Sequence, residues 1–208
     1  MARVAPGLGV EHLRALLLPR PLRDNGGEPD VPSRSTVALA HDGRDLIASF
    51  EVASEPPLRL LPDDSEAPAH QEECVELFLA SARDPSRYFE IVAGVSGALY
   101  TAMVFNPEGS RATWHVTPDV SVPALSVVVS GEPGAAPRSS WQRWSCVMRI
   151  PWAGLPLAHG APAPGERRRG NCFHIGRGSA TRYEALSPTL RVAPPDFHVP
   201  DRFAVFRF

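Results

Sequence analysis

What this chain has little of narrows its chemistry first. Its three cysteines, Cys74, Cys146 and Cys172, are odd in number and far apart, and no two sit at metal-ligand spacing. Each lies among apolar residues of a strand-like segment, where cysteine behaves as a small hydrophobe, so buried free thiols are expected rather than a disulfide. An excess of either charge is also missing. A formal net charge of -2 over 208 residues gives no electrostatic footing for nucleic acid or for an anionic membrane. The apolar run at residues 13–18 is interrupted by Arg14 and closed by Pro19-Arg20-Pro21. It is too short and too broken for a secretory signal or a membrane span, so the chain is expected to be cytoplasmic as written, or to lack its leader. No Gly-x-Ser-x-Gly elbow, P-loop, His-Glu-x-x-His or Rossmann glycine pattern occurs, and the seven histidines are scattered. These absences leave no catalytic or metal residue to assign.

What is present is punctuation. Pro 23 and Gly 16 favour many turns over long helices, with one short helix expected at residues 10–18. Strand-like segments are expected at residues 36–40, 46–53, 74–79, 87–93, 98–105, 124–130, 144–150, 171–175 and 182–186, and the C-terminus should end in a strand. The glycines of Gly94-Val95-Ser96-Gly97 permit a tight hairpin, so 74–105 reads as a three-strand antiparallel meander. In the last strand Phe203, Val205 and Phe206 or Phe208 are the candidate inward residues. Residues 19–34 and 155–171, the latter carrying Glu166-Arg167-Arg168-Arg169, read as loops. Without crossover helices a parallel α/β fold is excluded. The expected class is all-β, an antiparallel β-sandwich of jelly-roll or immunoglobulin-like form with few helical turns, over residues 35–208 behind an N-terminal extension at 1–34.

Candidate chemistry rests on carboxylates and rings. Asp63, Asp64 and Glu66, with Glu72 and Glu73, make an acidic loop that could take calcium, though without the spacing of a known calcium loop; a solvated loop is the plainer reading. Glu76 and Glu90 each lie in an otherwise apolar strand, where a meander can bring them to one sheet face. A hydrolase using this pair is one reading; a polar binding face is another, and plain solvent exposure on a half-exposed strand, or pairing with Arg87, Arg149 or Arg169, is a third. Aromatic rings lie well over the apolar faces of sugars, while carboxylates, amides and guanidinium groups take the hydroxyls. Trp144 and Trp152 read as core, and Trp114, between Thr113 and His115, as the better exposed platform.

Six ordered segments then resemble one family. Residues 70–79 (HQEECVELFL), 88–91 (YFEI) with Gly97, Trp144 to Pro151-Trp152, 169–176 (RGNCFHIG), 183–188 (YEALSP) and 195–203 (PDFHVPDRF) are similar in order to the family-9-like carbohydrate-binding modules, which are DOMON-related sandwiches. The resemblance implies a non-catalytic sandwich that binds a mono- or oligosaccharide, often attached to glycoside hydrolases; no cofactor is expected, the calcium reading of the acidic loop apart. Carried over by position, Glu76, Glu90, Arg169 and Asn171 are the polar candidates, and Tyr88 and Tyr183 the ring candidates. Leu186 stands where the family pattern has tryptophan, residues 92–94 lack its asparagine, and Ala204 replaces its glycine. The function expected is saccharide binding on a sheet face or cleft; the alternatives are a glycoside hydrolase using Glu76 and Glu90, or a sandwich binding a protein or non-sugar ligand. The closing Asp196-Phe197-His198 reads as architecture: Phe197 anchors a turn, Asp196 and His198 bond to neighbouring backbone, and the sugar sits elsewhere on the sheet.

Overall fold

The computed structural model describes residues 1–3, 18–62, 65–81, 84–132, 137–156 and 160–208. In chain order its strands are β1 (Ala2–Arg3), β2 (Arg20–Pro21), β3 (Arg23–Asp24), β4 (Ser35–His41), β5 (Asp45–Ala53), β6 (Cys74–Ala80), β7 (Arg87–Gly94), β8 (Leu99–Phe105), β9 (His115–Pro118), β10 (Ser126–Gly131), β11 (Arg143–Pro151), β12 (Arg167–Arg177), β13 (Thr181–Ala185) and β14 (Ala204–Arg207). Only single 3-10 turns interrupt them among the described residues, one of them Trp152–Gly154 after Pro151. The smaller sheet runs β1-β4-β5-β11-β10, with β2 also on β4; the larger runs β3-β13-β12-β6-β7-β8-β9, with β14 also on β12. All pairings are antiparallel except β1 with β4. The chain is thus an antiparallel sandwich, and β6, β7 and β8 form the expected meander, turned by Gly97 at a φ of 99°.

Alternation decides which side chains meet. Val75, Leu77, Leu79, Phe89 and Ile91 face the smaller sheet and pack against Phe50, Val52, Trp144, Met148 and Trp152. Their neighbours Phe78, Tyr88, Val92 and Phe173 point the other way into a second apolar cluster with Phe197 and Phe203. β6 is therefore buried along its whole length. The larger sheet is covered on both faces, once by the smaller sheet and once by the C-terminal segment that docks on its outside. The three cysteines are free and buried.

The expected loop at 155–171 ends earlier than expected. Residues 167–169 belong to β12, with Arg168 buried over the Trp152 ring at 4.7 Å and bonded through Nε to Glu166. A buried guanidinium stacked on an aromatic keeps its hydrogen bonds while its stem packs as apolar surface, so a charge run need not mark a loop. In β14 the inward residue is Phe206, whereas Val205 is 54% exposed. Phe203 precedes the strand, just after the 3-10 turn Pro200–Arg202, and the pairing of β14 with β12 sets the parity by placing Phe206 opposite Arg168. Residues 19–34, read as loop, contribute β2 and β3 and place Leu22 fully in the core. The helix expected at residues 10–18 falls largely outside the described residues.

Between the sheets lies one fully hydrogen-bonded ionic cluster. His174 Nε2 meets Glu73 Oε1 at 3.1 Å and its Nδ1 meets Glu184 Oε2 at 3.0 Å, while Ser35 Oγ donates to Glu184 at 2.6 Å. Backbone N–H groups of Arg177 and Arg34 supply further donors to the two carboxylates. Burial alone would lower the His174 pKa, but hydrogen bonds and charges from Glu184 and Glu73 outweigh it and raise it to about 9. Both carboxylates are held below their ordinary range against the same burial.

Candidate functional site

The outer face of the larger sheet carries alternate residues from β6, β7, β8, β9, β12 and β13. Register puts Glu76 opposite Phe173 on one side and Val92 on the other, and Glu90 opposite Phe78 and Ala102. Residues 187–203 cross this face and seal one end of it. Phe197 stacks on Phe173 at 4.1 Å, and Phe203 meets the edge of Tyr88 at 5.1 Å. Asn106 Nδ2 donates to the His198 carbonyl at 2.9 Å, and the Tyr88 hydroxyl shares a 2.8 Å hydrogen bond with His198 Nδ1. Asp196 Oδ1 accepts from the His198 backbone N–H and from Arg111 Nε at 3.0 Å. Arg111 in turn lies 5.0 Å over the Trp114 ring, whose edge meets His198 at 4.7 Å. The segment thus ties down the loop before β9 and sets the orientation of Trp114.

What the segment leaves uncovered is a cavity of about 500 Å³. Its floor is Glu76, Glu90, Ile175 and Val116, and its walls include Trp114, Tyr100 and Tyr183, with Arg111, Arg177, His70 and the Pro195, Phe197 and His198 group around the rim. Glu76 and Glu90 are only 3% and 5% exposed, yet neither carboxyl has a hydrogen bond or ion pair among the described residues. Arg87 pairs with Asp84, Arg149 with Asp42 and Asp45, and Arg169 reaches the Phe203 carbonyl, so none of these three neutralises them. Burial, opposed only by Arg111, pushes the Glu90 pKa up to about 8. Burial and the charge of Glu90 push Glu76 up as well. Burial and then Arg111 lower the His198 pKa to about 3, and burial with Arg177 lowers that of His70, so both imidazoles are neutral at pH 7. Two nearly buried, unpartnered carboxyl groups below a ring of aromatics make a polar floor without its own ligands.

A sequence model described as carbohydrate-binding family 9 matches residues 28–208. The chain belongs to carbohydrate-binding family 9. Solved structures share its fold at low identity. A provisionally assigned carbohydrate-binding protein from Bacteroides uniformis ATCC 8492 superposes with a TM-score of 0.75 at 18% identity, covering 100% of this chain and 97% of that one. A family 9 carbohydrate-binding module from Caldicellulosiruptor kristjanssonii in complex with cellotriose gives 0.62 at 13% identity, covering 100% and 89%. The module from that organism in complex with glucose gives 0.60 at 13%, covering 100% and 91%. No curated protein matches the chain.

The six residues carried over by position from family 9 all project from the outer face of the larger sheet, but the C-terminal segment divides them. Glu76, Glu90 and Tyr183 line the cavity. Tyr88 is fully buried beneath His198, so it offers no ring to a ligand. Asn171 is also fully buried; its amide nitrogen donates to the Ser187 carbonyl at 2.7 Å and its oxygen accepts from Ser187 N–H at 3.0 Å. Arg169 lies under Phe203. These three hold the segment in place rather than facing the cavity. The closing Asp196-Phe197-His198, read as architecture apart from the site, supplies one of its walls, and the His198 side chain bonds to Tyr88 rather than to backbone. Arg111, Arg177, His70 and Tyr100 were not singled out by sequence reasoning, although His70 opens the motif at residues 70–79. Trp114 sits half-buried in the cavity wall.

The acidic loop considered for calcium divides too. Asp63 and Asp64 lie outside the described residues. Glu72 accepts from Leu61 N–H at 2.7 Å and from Ser96 Oγ at 2.6 Å, and Glu73 belongs to the His174 cluster. Among the described residues no group of three His, Cys, Asp or Glu side chains is placed to hold a metal ion.

Proposed function

We propose that this family 9 chain binds a saccharide, without transforming it, in the cavity beside the C-terminal segment. The observation that carries the reading is the pair of unpartnered, nearly buried carboxyls of Glu76 and Glu90 on the floor of a cavity walled by Trp114, Tyr100 and Tyr183. Buried polar groups ordinarily have partners, and two left open into a cavity ask for a ligand rich in hydroxyls. The rings supply apolar faces for the C–H side of a pyranose. The cavity volume falls within the usual range for small-molecule sites. The cellotriose and glucose complexes of the Caldicellulosiruptor modules support the same ligand class.

A hydrolytic reading would use the same two carboxyls. A glycosidase sets its pair apart, one protonated and one ionised at working pH. Here neither carboxyl has a hydrogen-bond donor among the described residues to hold it ionised, which favours binding over chemistry. A glycan-array or affinity-gel screen with Glu90→Ala as control tests the proposal: retention on a polysaccharide that is lost in the variant is expected. No retention on any glycan, with no calorimetric signal for oligosaccharides, would contradict it.

A further inference from the structure

A second cavity of about 340 Å³ opens on the far side of Tyr183. It shares Tyr183 and Pro195 with the first, and otherwise lies over the end of the larger sheet, where β3 pairs with β13 through Asp24 opposite Glu184. Val31 and Val192, which border it, are 37% and 59% exposed, an apolar surface that neither sheet covers. Polar groups stand beside them. Asp24 uses one carboxylate oxygen for Gly26 N–H at 2.8 Å; its other oxygen has no hydrogen bond among the described residues. The Arg191 guanidinium has neither hydrogen bond nor ion pair among the described residues, whereas the guanidinium of Arg182 is held by Glu55 at 3.3 Å.

We infer that this second cavity is a further sugar subsite, and that the saccharide read by this protein is an oligosaccharide running from the Glu76–Glu90 floor past the Tyr183 ring toward Arg191. The inference rests on the saccharide reading of the first cavity. Adjacency carries it: Tyr183 and Pro195 line both cavities, so the two lie side by side and a chain leaving the first past Tyr183 meets the second. The second cavity repeats the pairing that suits a pyranose, apolar side chains for its C–H face and free hydrogen-bonding groups for its hydroxyls. Its volume again lies within the small-molecule range.

Calorimetric titration with glucose, cellobiose and cellotriose tests the inference on the intact protein. Cellotriose is expected to bind about tenfold tighter than glucose, the effect of one further modest set of contacts. Ala180→Trp, a change at the exposed rim of the second cavity, should bring cellotriose to the affinity of glucose and leave glucose itself unchanged. Arg191→Ala should reduce the chain-length preference in the same direction. Equal affinities for glucose and cellotriose in the wild type would overturn the second subsite while leaving saccharide binding intact. So would a cellotriose preference that survives both substitutions. Failure of all three sugars to bind would remove the saccharide reading and this inference together.

Discussion

Glu76 and Glu90 stand diagonally across the β6–β7 pair, Glu76 opposite Val92 and Glu90 opposite Phe78, both on the outer face of the larger sheet. Diagonal neighbours across an antiparallel pair lie within reach of a common small ligand. A protein selected only for stability would bury apolar residues at such positions. Local rules broken in this way are expected where function is carried.

That conflict predicts a pH signature for Glu90. Its folded pKa of about 8 lies above the unfolded value near 4.5. The stability of the neutral form is therefore fully present below about pH 4.5 and lost as pH rises through 8. Glu90→Gln removes this penalty, so the variant should match the wild type in Tm near pH 4.5 and exceed it by pH 8. Thermal denaturation across that window checks it; a Tm for Glu90→Gln that stays at or below the wild-type value at pH 8 would refute the shift.

The His174 cluster predicts the opposite kind of loss. Removing one partner of a buried ionic group costs about 3–5 kcal/mol, because the remaining charges stay buried. His174→Gln should cost that much at pH 6. Since His174 has a folded pKa near 9 against 6.5 unfolded, its contribution is complete below pH 6.5 and fades as pH rises through 9. Denaturant unfolding at pH 6 and pH 9.5 should show the gap to wild type narrowing; a constant gap would contradict an ionised His174.

Gly94 offers a packing test. A Cβ built on it would lie 1.7 Å from Glu72 Oε1, the atom that accepts from Ser96 Oγ. Gly94→Ala must displace a carboxylate that anchors the β7–β8 turn, at a cost of about 1–3 kcal/mol typical of overpacking. Chemical denaturation measures it, and an unchanged midpoint would show that Glu72 relaxes freely.

Trp114 and Tyr88 separate binding from architecture. Trp114 is half-buried in the cavity wall, so Trp114→Ala should weaken saccharide binding by about tenfold, the value of one aromatic contact, with little change in Tm. Tyr88→Phe leaves His198 Nδ1 without the hydroxyl it meets at 2.8 Å and should cost about 1–3 kcal/mol of stability. Calorimetry and melting of the two variants side by side check both; loss of binding in neither, or of stability in Trp114→Ala alone, would reverse the roles.

Much of the fold was legible because it is local. The β6–β8 meander follows from alternation and from the glycine turn at residues 94–97, and Trp144 and Trp152 declare themselves core by register. The family resemblance named Glu76, Tyr88, Glu90, Arg169, Asn171 and Tyr183, and strand register places all six on one face. What the sequence could not show was where residues 187–203 would dock, since that depends on Phe197 finding Phe173 and Asn106 finding the His198 carbonyl, partners tens of residues apart. The docking turned three of those six residues into supports. Parity misled at Val205, where the pairing of β14 with β12 rather than the order of phenylalanines decides which side chain points in. Arg111 and Arg177 reach the cavity from a loop and a strand end, with no periodic signal to mark them.

A crystal structure of the protein grown with cellotriose tests the central claim most directly. Sugar density is expected over Glu76 and Glu90, bordered by Trp114 and Tyr100, beside residues 195–198. Sugar bound on the smaller sheet, or bound elsewhere with both carboxyls untouched, would contradict it.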